Sequence, residues 1–151
     1  MYSDMKRGLT ETIDSKLKTA WQAVSRMYNA EAVLHDGTFA MSHFLLNIDA
    51  KEGSFASDIA PRLGTESTSL SRIIQSLEEK KLIRRIPEKT DKRKILLTAK
   101  GNEKKELSKS IVKNFNQKVE QLLGKEKLLE FFETIDKITE LAEERSKNLK
   151  S

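Results

Sequence analysis

The chain has 151 residues, of which 37% are hydrophobic, 6% aromatic and 34% charged, with 28 Lys and Arg against 23 Asp and Glu. That length carries a real core, and the balance suits a helical protein with long solvated faces rather than a disordered chain. Zero cysteines exclude disulfides, thiolate metal sites and a thiol switch, and no apolar run reaches the length of a membrane span. The start MYSDMKRGLTETID lacks the apolar stretch of a signal peptide, so a soluble cytoplasmic protein without a cofactor is the expectation.

In chain order, residues 9–30 place Leu9, Ile13, Leu17, Ala20, Trp21, Val24, Met27 and Tyr28 at helical spacing on one face. Trp21 lies on that apolar stripe, which favours packing over ligand stacking. His35-Asp36-Gly37 reads as a loop, with Gly37 the residue free to take positive φ. Thr38 is an N-cap candidate for a helix whose buried face is Met41, Phe44, Leu45 and Ile48, closed by Glu52-Gly53. His35 and His43 have no partner at metal-ligand spacing.

A short helix follows with Phe55, Ile59 and Leu63 inward. Pro61 removes a helical hydrogen bond unless it falls in the first turn, which argues for a cap near Ser57. Gly64 suits the left-handed residue that ends it. A second helix over 65–80 has Leu70, Ile73, Ile74 and Leu77 inside, with Ser67, Thr68, Ser71, Arg72 and Gln75 mainly outside. Two short helices joined by a Gly-containing turn are what a helix-turn-helix requires. Small hydroxyl side chains at a helix N-terminus allow close approach to phosphates and base edges, and Arg72 one turn on adds a guanine-preferring donor. The bland alternative is that these residues cap and solubilise.

Residues 81–86 and 92–97 read as two strands joined by the turn Pro87-Glu88-Lys89-Thr90-Asp91. Between residues 80 and 94 there are 8 basic and 2 acidic residues. Over 54–105 there are 13 Lys and Arg against 7 Asp and Glu, a net of +6, while the remainder carries 15 against 16. Positive charge gathered on one hairpin beside a helix pair points to a phosphate-binding surface. Thr98 then caps a long helix with Leu107, Ile111, Phe115, Val119 and Leu122 on one face. Gly124 breaks it, and a last helix over about 125–147 carries Leu128, Leu129, Phe131, Phe132, Ile135, Ile138, Leu141 and Ala142. This apolar surface exceeds what the central block needs, which points to dimerisation.

The order of LGTESTSLSR, LEEKKLI, Asp91-x-Arg93 and Leu97-Thr98-x2-Gly101, flanked by long helices, resembles the MarR family of winged-helix transcriptional regulators over essentially the whole chain. One departure is a hairpin about two residues shorter than usual, a change that preserves strand alternation. The resemblance implies a mainly α fold with a small β-hairpin wing: one winged helix-turn-helix domain over 1–151. Its reader would span about 38–101 and its dimerisation helices about 5–32 and 98–148. It further implies a homodimer on a pseudo-palindromic site in double-stranded DNA, most often as a repressor. By resemblance Ser67, Thr68, Ser69 and Arg72 read bases, Arg93 enters the minor groove with Asp91 orienting it, and Lys89, Lys92 and Lys94 contact phosphates. Release by a small aromatic or anionic effector is common in the family. The candidate lining is Trp21, Tyr28, His43 and Phe44, which serve equally well as core residues. A protein-interaction dimer on the same scaffold is the alternative. An enzyme finds no support, since there is no glycine-rich phosphate loop, metal-spaced histidine cluster or nucleophile with a base.

Overall fold

The computed structural model of the chain describes residues 11–64, 67–87 and 93–151. The chain divides into two compact units, Met1–Lys109 and Ser110–Ser151.

In the first unit, α1 spans Ile13–Leu34 and α2 spans Phe39–Leu46. Thr12 caps α1 by accepting from the Ser15 amide, and Thr38 caps α2 by accepting from the Met41 amide at 3.2 Å. The turn between them differs from the sequence expectation, because Asp36 and not Gly37 takes the positive φ, at 57°. The Gly37 amide bonds back to the Ala32 carbonyl and the Asp36 amide to that of Val33. This paired closure puts the left-handed residue one position before the glycine, where aspartate tolerates it. Helix α2 also ends earlier than expected, at Asn47, whose side chain donates to the His43 carbonyl at 2.8 Å. A separate turn follows, in which one Asp49 carboxylate oxygen accepts from the amides of Lys51 and Glu52 at 2.8 Å each. Gly53 closes that turn at φ 73°, and a Cβ there would lie 2.6 Å from the Ile95 carbonyl oxygen.

Next come β1 (Ser54–Phe55), α3 (Ala56–Leu63), α4 (Ser67–Glu79), β2 (Ile83–Pro87) and β3 (Arg93–Leu97). The hairpin is thus the main part of a three-stranded antiparallel sheet in the order β1-β3-β2, with Ser54 opposite Ile95 and Arg85 opposite Ile95 on the other side. Strand β1 was not expected, since two residues are too few to display alternation. Helix α3 starts directly after Phe55 rather than at Ser57, so Pro61 sits inside it. The donor that Pro61 lacks would have served the carbonyl of Ser57, an exposed residue, so the loss falls on the solvent side of the helix. Gly64 ends α3 at φ 60°, as its position predicts.

The core joins α2, α3, α4 and the sheet. Phe44, Ile48, Ile59, Leu77 and Ile95 are fully buried, with Met41, Leu45, Leu70, Ile74, Leu82 and Ile83 around them. At about 1.5–3 kcal/mol per large apolar side chain buried, this cluster holds the first unit together. Helix α5 (Ala99–Leu123) begins at Thr98, whose hydroxyl accepts from the Gly101 amide at 2.9 Å and donates to the Lys81 carbonyl at 2.7 Å. Gly101 is buried, and a Cβ there would overlap the Leu82 carbonyl oxygen, so the start of α5 can approach the β2 lead-in this closely only with glycine.

In the second unit, Gly124 at φ 83° separates α5 from α6 (Lys125–Lys150). No residue of α6 is buried in the single chain.

Candidate nucleic-acid interface

Helix α4 is the centre of the site, and its register follows from its apolar residues. Leu70, Ile74 and Leu77 enter the core and Ile73 packs against it. The remaining face is then turned outward by the helical period. Thr68, Ser69, Ser71, Arg72 and Gln75 are all exposed. Gln75 donates to Glu79 at 3.2 Å along the same face. Ser67 opens the helix, and its side chain lies outside the described residues. The structure therefore brings Thr68, Ser69 and Arg72 together on one solvent face at the N-terminal half of α4, where the dipole is positive.

The hairpin lies beside this helix. Arg93 is exposed and pairs in register with Pro87, while Lys94 is half-buried opposite Ile86 and Phe55. Arg84 is exposed on β2, and Arg85 forms an ion pair with Glu78 of α4. A cleft of about 360 Å³ between α3, α4 and the hairpin is lined by Ile74, Arg85, Arg93 and Ile95, among others. Lys89, Asp91 and Lys92 fall outside the described residues. Arg84 and Arg85 were missing from the sequence-based candidates, although the basic run through them was the available signal.

The aromatic candidates divide. Phe44 is fully buried in the core, so it packs rather than lines a cleft. Trp21, Tyr28 and His43 instead gather around Phe39, which the sequence did not single out. Phe39 stacks on Tyr28 with centroids 5.7 Å apart, stacks on His43 at 5.3 Å and meets Trp21 edge-on at 6.0 Å. Its position four residues before His43 on one helix face was the only hint. Trp21 remains 55% exposed. Burial holds the His43 imidazole below its usual pKa and pushes the Tyr28 phenol up, so both are neutral at pH 7.

Residues 38–94 match the MarR family, and that stretch begins at the cap of α2 and ends inside β3. Over that stretch, from α2 to β3, the chain is similar to the MarR family. Among solved MarR-like folds, the Staphylococcus aureus MepR–DNA complex superposes with a TM-score of 0.78 at 23% identity, covering 87% of this chain and 98% of that one. The transcriptional regulator SlyA gives 0.77 at 19% identity, covering 87% and 94%. The transcriptional repressor CouR bound to a 23-mer DNA duplex gives 0.75 at 24% identity, again covering 87% and 94%. These likenesses establish the winged-helix fold. No curated protein sequence matches the chain. Among the described residues no cluster of His, Asp and Glu could hold a metal ion, and no described helix is long and apolar enough to cross a membrane.

Proposed function

We propose that the chain is a sequence-specific DNA-binding transcriptional regulator, not an enzyme, that acts in the cytoplasm as a homodimeric repressor on a pseudo-palindromic site. The observation that carries this reading is the outward face of α4, with Thr68, Ser69 and Arg72 exposed beside a hairpin rich in Lys and Arg. MepR and CouR, to which the fold is similar, are both known on DNA. Ser67, Thr68, Ser69 and Arg72 would meet base edges in the major groove. Arg93, oriented by Asp91, would enter the minor groove, and Lys89, Lys92 and Lys94 would lie on phosphates. Exposed Arg84 joins the phosphate group on the same grounds.

The chain then works as one domain over 1–151, with a reader over about 38–101 and dimerisation helices over about 5–32 and 98–148. Exposed Leu129, Phe131, Phe132 and Leu141 on α6 supply the apolar surface that a second copy would cover. The cluster of Trp21, Tyr28, Phe39 and His43 offers flat, uncharged faces on which a small aromatic or anionic effector would stack. An effector that prefers one spacing of the two readers shifts the population away from the DNA-competent one.

Binding to duplexes selected by the wild-type chain tests the assignment. Arg72→Ala is expected to cost about 1–3 kcal/mol and to relax base preference at one position. Lys92→Ala is expected to weaken all sequences alike and to lower the slope of log K against log salt by about 1. Unchanged duplex binding in both variants at low salt would refute the proposal.

A further inference from the structure

The start of α5 runs against the usual charge preference of a helix N-terminus. That end is the positive pole of the helix dipole and favours acidic side chains. Yet the first turn of α5 holds no acidic residue, and Lys100, Lys104 and Lys105 all lie within its first two turns. Such a local conflict marks residues serving something other than their own helix.

All three ammonium groups reach the C-terminal ends of other helices. Lys104 Nζ donates to the carbonyl of His35, the C-cap of α1. Lys105 Nζ donates to the carbonyl of Ile48, one residue past the C-cap of α2. Lys100 Nζ lies 3.5 Å from the carbonyl oxygen of Lys80, the residue after α4 ends. A cation gains at each place from the negative pole of the helix it touches, and carbonyls left without helical partners gain a donor. A further link joins two of these ends, since Lys80 Nζ pairs with Asp36 at 3.1 Å and so ties the end of α4 to the turn after α1. Lys105 is the most committed of the three. It is only 6% exposed, so its ammonium depends on the Ile48 carbonyl and the nearby Asp49 charge in place of water.

We infer that Lys100, Lys104 and Lys105 are positioning residues of the DNA reader, binding the ends of α4, α1 and α2 to the base of α5. The inference rests on the DNA-reading assignment above. In it, α4 is presented at an angle set by the base of α5, and two such readers keep a defined half-site spacing. None of the three lysines needs to touch DNA for this.

The test uses the full chain. Duplexes are selected by the wild type from a random library that includes varied half-site spacings. Lys104→Met, Lys105→Met and Lys104→Arg are then titrated by fluorescence anisotropy against the best selected duplex and a scrambled one over a salt series, with thermal melts as a fold control. The methionine variants are expected to lose about tenfold on the selected duplex and less on the scrambled one. They are also expected to accept a wider range of spacings at an unchanged salt slope, and Lys104→Arg to restore the wild-type pattern. A salt slope lowered by about 1 would make these lysines phosphate contacts and overturn the inference. So would wild-type affinity and spacing preference, or an equal loss on both duplexes that tracks the folded fraction in the melts. A wild-type chain that selects no duplex brings down the DNA-reading assignment itself, and the inference with it.

Discussion

The core of the reader and helix α6 are built from similar amounts of leucine, isoleucine and phenylalanine and end in opposite states. In the reader, Phe44, Ile59 and Leu77 are fully buried by residues far from them in sequence. Along α6, Phe131 stays 51% and Phe132 48% exposed, and Leu141 more so. The difference lies in what is available to cover each face. Helices α2, α3 and α4 are short and meet a sheet, so their stripes converge on one interior. Helix α6 is 26 residues long, and a stripe of that length needs a partner of comparable length. The core of the first unit closes on itself, whereas the apolar stripe of α6 stays uncovered in the single chain.

That contrast can be broken at either end. The largest effect is expected from Leu77→Ala, which empties the centre of the reader core and should cost about 2–5 kcal/mol in urea unfolding at any protein concentration. Phe132→Glu attacks the other side. It should cost about 3 kcal/mol or more of association by placing an unpaired charge in a covered face, read as a shift from dimer to monomer in sedimentation, with the reader core still folded. If the variant and the wild type sediment alike, α6 is not the covered surface. Thr98→Ala removes the cap that starts α5 and should cost about 1 kcal/mol, seen as a lowered urea midpoint at unchanged slope.

The smallest effect belongs to Asp36→Asn. The Lys80 ammonium hydrogen-bonded to Asp36 holds its carboxyl below the usual carboxylate range. A carboxylate depressed in the fold adds stability above its unfolded pKa and loses it as pH falls through the folded value. The wild type should therefore exceed Asp36→Asn slightly at neutral pH and converge with it at acid pH. Asparagine keeps the left-handed turn available, so a pH-independent gap would contradict the ion-pair account. Asp36 is fully exposed to solvent, which keeps the effect small.

Much of the reader was legible before the structure because it is local. The spacing of Leu70, Ile73, Ile74 and Leu77 alone decides which face of α4 turns outward, and with it the exposure of Thr68, Ser69 and Arg72. Thr38 and Thr98 announce their helices by side chains that reach only three residues on. The misses share a cause as well. Strand β1 exists only because β3, forty residues away, offers it an edge. Phe39 became the hub of the aromatic group because α1 folds back on α2 and brings Trp21 and Tyr28 to it.

The sequence by itself determined the helical periods, the Thr38 and Thr98 caps and the basic strands, since each depends on residues within a few positions of one another. Only the tertiary structure decided that Phe39 gathers Trp21, Tyr28 and His43, that Gly101 is pressed against the Leu82 carbonyl, and that three lysines of α5 end at the tips of three other helices. Those contacts span up to 69 residues of chain. No local preference encodes them, because a carbonyl at a helix end attracts any cation that the packing of the whole unit brings within reach.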